Sequence, residues 1–216
     1  MGMRIVWPLT PMNHLRLKIG VGKNESCFNA TKTVELIFDF RKDSPHHPVL
    51  SIDGSEIKQE NNVRYLGTTI SCKLSWEDNV QGIYSNCQKK LYLLRKLNNF
   101  GVTNNIKNAF FRSCILSVLS FNVISFWVNA NVSDKEKLFR VVRQASKLTC
   151  IDLDLDVYVD ELYWKQVCKI MNDPTHPLYP CFSYLPSGRR LRAHKVRLSR
   201  TQKSFIPYSI SLFNEK

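Results

Sequence analysis

The sequence predicts an α+β fold: a small antiparallel sheet, then a four-helix α-helical region, then an irregular basic C-terminal tail. Three observations predict it. β-branched runs with turn signals are confined to the first third, apolar residues recur at three- and four-residue spacing between about 75 and 171, and arginine, lysine and proline dominate the end. Strands followed by helices are typical of α+β domains. The 216 residues, 44% apolar, suffice for one core or one core with a small appendage.

The predicted strands cover residues 33–40, 49–52 and 63–71. Asp53-Gly54, between the last two, is a hairpin signal because both residues tolerate positive φ. Residues 1–27 show no clear period, and we expect a poorly ordered N-terminal segment there.

The first predicted helix begins at a cap on Ser75 and extends to about residue 97. The second covers 104–127 and is apolar nearly all round, which predicts a central position. A third begins at the capping-box residues 133–136, and a fourth covers about 157–171. A last segment, 199–213, is expected to be interrupted by its proline.

The charge balance favours a polyanionic partner. Thirty-one basic residues against 18 acidic ones give a formal net charge of +13, which suits nucleic acid or an anionic membrane surface. Residues 113–133 carry no charge, but eight of them are serine or asparagine, so a buried core helix is favoured over a membrane span. Seven cysteines, an odd number and none closely spaced, indicate reduced intracellular thiols, which places the protein in the nucleus or cytoplasm.

The strongest binding signal is a basic run near the C-terminus. Residues 187–203 contain seven basic side chains and no acid. Such a cluster can neutralise several phosphates of RNA or DNA, with a solvated basic surface as the alternative. Phe205 and Tyr208 follow it closely enough to stack on bases. The candidate nucleic-acid-binding residues of this run are Arg189, Arg190, Arg192, Lys195, Arg197, Arg200 and Lys203.

No motif supplies a catalytic or metal site. The alternating acids Asp152, Asp154 and Asp156 fit a linker and a helix N-cap. Cys168, His176 and Cys181 match three ligands of a Cys-Cys-His-Cys knuckle, but the first ligand is missing, so coincidence is favoured. We therefore expect no cofactor, no metal and no small-molecule substrate.

Two N-terminal blocks resemble LINE-type (non-LTR) retrotransposon reverse transcriptases. Asn29-Ala-Thr-Lys32-Thr33, followed by the strand 35–41, is similar to the end of the palm. Val63-Arg-Tyr-Leu-Gly-Thr-Thr-Ile70 is similar to the primer-grip hairpin. The resemblance implies that Lys32 lies near the incoming triphosphate and that Tyr65 and Gly67 belong to a nucleic-acid-binding hairpin.

Two later blocks extend the resemblance in the same order. Residues 91–100 are similar to the thumb helix, and residues 173–177, 185–192 and 204–207 are similar to the C-terminal tail of such proteins. It implies four segments: a loose 1–27, a palm-end and primer-grip-like region 28–74, a thumb-like helical bundle 75–172, and a basic tail 173–216.

The resemblance implies a protein without polymerase activity. Polymerisation needs clustered acids that hold two Mg²⁺ ions, and no Tyr-x-Asp-Asp element occurs. We therefore expect a non-catalytic reverse-transcriptase remnant with residual RNA or DNA binding, and no membrane partner. Residues 62–100 also resemble the N-terminal segment of the AlkB homologue eight family, which implies methyltransferase and 2-oxoglutarate dioxygenase activities as an alternative. A protein-interaction module without enzymatic role is the remaining one.

Overall fold

The structure, a computed structural model, describes residues 3–6, 33–41, 47–52 and 54–215. The described chain is mixed α and β, with short strands before its long helices, in agreement with the predicted α+β class. It forms two compact units, Met1–Asn79 and Val80–Lys216. The division falls in the first turn of a helix, a few residues beyond the expected boundary after residue 74.

A three-stranded sheet is built around strand β2 (Val34–Phe38). Strand β1 (Met3–Val6) pairs with β2 in antiparallel direction, so these four residues are not the poorly ordered segment that the sequence predicts. The rest of 1–27 lies outside the described residues. On its other side β2 pairs with β5 (Lys58–Gln59) in parallel direction. Ile57, immediately before β5, is only 2% exposed. Its N–H bonds to the carbonyl of Leu50.

Two hairpins complete the first unit. Strands β3 (Ser51–Ile52) and β4 (Ser55–Glu56) pair across a turn that contains Gly54, as the Asp-Gly signal predicts. Strands β6 (Asn62–Tyr65) and β7 (Thr68–Ser71) form the second hairpin. The predicted single antiparallel sheet is therefore wrong in detail, since the described strands form three small sheets and one pairing is parallel.

The predicted single strand 63–71 is folded back on itself by a two-residue turn. Leu66 and Gly67 have φ values of 44° and 86°, the pair of positive values that a type I′ hairpin turn requires. Leucine is a costly residue at positive φ, because its Cβ crowds the following carbonyl. Leu66 is also 76% exposed, so burial does not offset that cost.

Asparagine side chains tie this hairpin to the next helix. The Oδ1 atom of Asn79 accepts the N–H of Thr69 at 3.0 Å, and Asn79 is only 6% exposed. The amide of Asn62 donates to the carboxylate of Asp78 at 2.8 Å. The start of the helix is therefore fixed to the hairpin by side chains that the sequence pattern does not single out.

Helix α1 (Glu77–Asn99) has the predicted bounds within about two residues. Val80, Cys87, Leu91 and Leu94 are fully buried along one face, as their spacing predicts. Gly101, with a φ of 67°, follows the helix and allows the chain to turn.

The predicted helix 104–127 is divided into short pieces. Its described parts are α2 (Asn104–Phe110), a π-helical turn (Phe111–Leu116), α3 (Ser117–Ser120), α4 (Val123–Phe126) and a 3₁₀ turn (Trp127–Asn129). The break before α4 lies at Asn122, which has a φ of 52°.

This stretch is not the all-round buried helix that its composition predicts. Phe111, Ile115, Leu119, Val123 and Phe126 are buried on one face. The stretch as a whole is long and apolar enough to cross a membrane, but core helices of soluble proteins pass the same test. Only 28% of the most apolar 18-residue part of this stretch is buried, so much of its apolar surface faces outward in this chain.

Two further helices have asparagine and aspartate caps. Helix α5 (Val132–Ser146) is capped by Asn131, whose side chain accepts the N–H of Asp134 at 2.7 Å, so the predicted capping box at 133–136 is wrong. Helix α6 (Leu155–Met171) is capped by Asp154, as the sequence predicts.

The predicted irregular tail contains two helices, α7 (Ser199–Gln202) and α8 (Phe205–Glu215). Pro207 does not interrupt α8, because it lies in the first turn, where a helix has no partner for the N–H. The carbonyl of Lys203, four residues before Pro207, accepts a hydrogen bond from the Asn129 amide at 3.1 Å.

We expect Leu66→Asn to stabilise the first unit by about 0.5–1 kcal/mol, because asparagine adopts positive φ more readily than leucine. Gly67→Ala at the neighbouring position is the matched opposite change, and it should destabilise by about 1 kcal/mol. Urea unfolding followed by circular dichroism measures both. Equal stability of the two variants would contradict the type I′ assignment.

Candidate nucleic-acid interface

The basic segment lies between α6 and α8, and its charged side chains face solvent. Arg189, Arg190, Arg192, Lys195, Arg197, Arg200 and Lys203 are all exposed. Within the described residues, the six other than Arg200 take part in no ion pair, whereas Lys137 and Arg143 on α5 bind Asp134 and Glu136. The segment therefore carries unneutralised positive charge.

The first three arginines belong to a small hairpin. Its turn is closed by a hydrogen bond from the N–H of Gly188 to the carbonyl of Leu185 at 2.8 Å, and Gly188 has a φ of 68°. Tyr184 and Leu191 form an antiparallel bridge at its base. Arg189 and Arg190 therefore lie between the turn and the bridge, and Arg192 follows the bridge. We call residues 183–192 the basic hairpin.

Leu191 anchors the basic hairpin in the core of the second unit. It is 1% exposed and packs in a buried cluster with Val167 and Ile170 of α6, Ile210 of α8, and Phe182. An alternating strand places neighbouring side chains on opposite faces. Burial of Leu191 therefore directs the two adjacent arginines, Arg190 and Arg192, to the solvent side.

The second half of the segment is held at separate points. A ring nitrogen of His194 lies 3.1 Å from the carbonyl oxygen of Cys181. The amide of Gln202 donates to the carbonyl of Val196 at 3.1 Å. Lys195 and Arg197 are exposed next to these contacts, so hydrogen bonds from the His194 and Gln202 side chains to backbone carbonyls fix the chain while the cationic side chains reach outward.

The two aromatic residues that the sequence offers for base stacking are used inside the protein. Phe205 stacks on Tyr163 with ring centroids 5.8 Å apart, and Tyr208 meets the same ring edge-on at 5.0 Å. The Tyr208 hydroxyl also donates to Asp160 at 3.0 Å. Their rings are therefore committed to the core. Tyr184, 48% exposed at the base of the basic hairpin, is the aromatic residue that sequence reasoning missed.

Lys203 lies close to a second lysine, Lys135 of α5. The ammonium of Lys135 lies 4.8 Å from the centroid of the Trp127 ring, and the indole N–H donates to Asp156 at 2.9 Å. Burial lowers the pKa of Lys135, and the positive charge of Lys203 lowers it further, against the opposing effect of Asp156. Lys203 is therefore one of several charges around Lys135, and these include the acids Asp156 and Asp160.

The residues that the family resemblance singled out lie in the first unit or outside the described chain. Lys32 is among the residues that the structure does not describe. Tyr65 and Gly67 are brought together in the β6–β7 hairpin, where Tyr65 pairs with Thr68 and is half-buried, and Gly67 is exposed in the turn.

The described residues contain no group of three or more His, Cys, Asp or Glu side chains that could hold a metal. In the incomplete knuckle, Nδ1 of His176 accepts the N–H of Leu178 at 3.1 Å, a local turn contact. Among the thiols, Cys87 is fully buried, and that burial raises its pKa to about 12, which suppresses the reactive thiolate. Burial therefore keeps the Cys87 thiol protonated at neutral pH.

We expect the protein to lose stability as the pH rises from 9 to about 12. Burial raises the pKa of Cys87 from 9.0 and that of Tyr208 from 10.0, each to about 12, and the hydrogen bond to Asp160 adds to the effect on Tyr208. Both groups stay neutral in the folded chain at a pH that ionises them in the unfolded chain. Their stabilisation is therefore complete below pH 9 and is lost through about pH 12.

Urea unfolding at a series of pH values measures this loss. Tyr208→Phe should make the loss of stability between pH 10 and about pH 12 shallower, with the contribution of Cys87 remaining. It should also lower stability at neutral pH by about 1 kcal/mol, because Asp160 loses its donor. A free energy of unfolding that stays level from pH 9 to 12 would show that these groups are accessible to solvent.

Comparison with protein-family models, with curated proteins and with solved structures finds no significant match. The residues and geometry described above are therefore the basis for assigning a function.

Proposed function

We propose that this chain binds the phosphate backbone of RNA or DNA through its basic C-terminal segment, without catalysing a reaction. The observation that carries the proposal is the set of exposed cations on residues 189–203. Arg200 has an interaction of its own, and the other six have no ion-pair partner among the described residues. Sequence-independent binding to nucleic acid arises from lysine and arginine that displace counterions from phosphates. The net charge of +13 supports the same partner.

The wider proposal is that the chain derives from the C-terminal part of a LINE-type reverse transcriptase. In that reading α1, the α2–α4 stretch, α5 and α6 correspond to a four-helix thumb-like region, and residues 173–216 to a basic tail. The β6–β7 hairpin, with Tyr65 and Gly67, would be a second contact for nucleic acid. The proposal places the protein inside the cell, in the nucleus or cytoplasm, and includes no cofactor.

We expect the full chain to bind a short labelled single-stranded oligonucleotide with strong salt dependence. If all seven side chains contact phosphates, the slope of log K against log salt approaches about −5. Replacing Arg189, Arg190 and Arg192 together by glutamine should make the slope shallower by about 0.7 for each phosphate that is no longer neutralised. Fluorescence anisotropy between about 50 and 200 mM salt measures both.

The matched control replaces three exposed cations elsewhere: Lys89→Gln on α1, Arg140→Gln on α5 and Lys147→Gln at the C-cap of α5. This variant has the same net charge as the hairpin variant, so general electrostatics are equal. It should bind as the wild type does within about twofold, apart from the long-range effect of net charge. Equal weakening of the two variants would assign binding to overall charge, and no binding at low salt would refute the proposal.

A protein-interaction module is the second candidate, and the apolar stretch Asn104–Asn129 favours it. Ile106 and Phe121 are both more than half exposed there. Ser113 and Ser117 donate their hydroxyls to carbonyls of their own helix, so this outward surface offers few polar groups to water. Exposed apolar patches are typical of protein interfaces. Concentration-dependent self-association that Phe121→Ser abolishes, together with no oligonucleotide binding, would favour this role.

A further inference from the structure

The basic hairpin cannot hold its shape by its own hydrogen bonds. Only one bridge pair, Tyr184 with Leu191, joins its two sides. The bonds that flank the pair run from the N–H of Leu185 to the carbonyl of Arg190 at 2.7 Å and from the N–H of Arg192 to the carbonyl of Ser183 at 2.8 Å. Even longer isolated hairpins are marginal in water, so further contacts must hold this one.

The pattern of these bonds leaves the backbone groups of Tyr184 and Leu191 without partners in the opposite strand, and Leu191 is the buried residue of the two. In an antiparallel pair whose flanking residues make the hydrogen bonds, the N–H and C=O of the paired residues point away from the partner strand. Leu191 is such a residue, and it is 1% exposed. Buried backbone groups need partners, because leaving them unpaired costs free energy.

A single side chain of α8 supplies both partners. The Oδ1 atom of Asn214 accepts the N–H of Leu191 at 2.8 Å, and its Nδ2 donates to the carbonyl of Leu191 at 3.0 Å. The side-chain amide therefore bonds to Leu191 as the peptide group of a neighbouring strand would. Asparagine can do this because it carries one acceptor and one donor at fixed separation.

We infer that Asn214 is the positioning residue of the nucleic-acid interface, an inference that rests on the proposed function. Its two bonds, with the burial of Leu191, fix the strand from which Arg190 and Arg192 project to one side. The Cα atoms of residues two apart on a strand are about 6.6 Å apart, so the two arginine side chains leave the backbone at defined points on the same side. Ordering them before the ligand arrives lowers the entropy cost of binding.

The test compares Asn214→Ala with Arg190→Gln in the full chain, using the same labelled oligonucleotide across a salt series. Asn214→Ala keeps every positive charge, so its salt slope should equal that of the wild type while affinity falls by about threefold to tenfold at each salt concentration. Arg190→Gln should instead make the slope shallower by about 0.7. This split between affinity and slope distinguishes positioning from charge.

Limited trypsin digestion provides a readout that needs no nucleic acid. Trypsin cleaves after arginine, and Asn214→Ala should raise the rate of cleavage after Arg189, Arg190 and Arg192 while cleavage after Arg140 and Arg143 on α5 stays unchanged. Asn105→Ala, at an exposed asparagine of α2, is the matched control and should alter neither rate nor affinity.

Each result decides a separate question. If Asn214→Ala binds as the wild type does, or if its salt slope falls together with its affinity, Asn214 is not a positioning residue. Faster cleavage on α5 as well would show general unfolding in place of a loosened hairpin, and that also overturns the inference. If the wild type itself does not bind, the proposed function fails first, and the digestion still reports whether Asn214 holds the hairpin.

Discussion

The arrangement of the second unit depends on the packing of α8 against α6. Val167 and Ile170 of α6 meet Ile210 of α8 in a buried cluster that also takes in Leu191 from the basic hairpin. Rings extend the contact, since Trp164 of α6 stacks on Phe213 of α8 with centroids 4.7 Å apart. The like charges of the basic segment repel one another and do not hold the chain in place. Burial of this apolar surface therefore fixes the path of the segment.

That division of roles explains how the segment can be both ordered and cationic. Leu191 and Phe182 are buried below the chain, whereas Arg189 and Arg190 between them, and the basic residues that follow Leu191, are exposed to water. Backbone hydrogen bonds fix the path between these anchors, so no basic side chain is needed for folding at those points. Side chains that folding does not use remain available for a polyanion, and screening by salt weakens that binding without weakening the apolar anchor.

Helix periods and net charge can be read from the sequence, but the detail of the turns cannot. The spacing of Leu91 and Leu94 predicts the buried face of α1 correctly, because a 3.6-residue repeat is local. The residue pattern predicts one strand over 63–71 because Leu66, with a φ of 44°, carries no turn signal, although the resemblance of residues 63–70 to a primer-grip hairpin implies a turn. The break predicted at Pro207 is wrong because the effect of proline depends on its position within the helix.

The sequence by itself determined the mixed α and β composition, the main helices and the surplus of positive charge near the C-terminus, since these follow from residue type and spacing. Tertiary structure alone decided how far the aromatic rings are exposed: Phe205 and Tyr208 pack on Tyr163, whereas Tyr184 meets Phe213 edge-on and remains 48% exposed. It also decided that Asn214, 23 residues from Leu191, completes the backbone hydrogen bonds of the basic hairpin. Contacts between residues far apart in the chain depend on how helices and hairpins pack, and no local pattern records them.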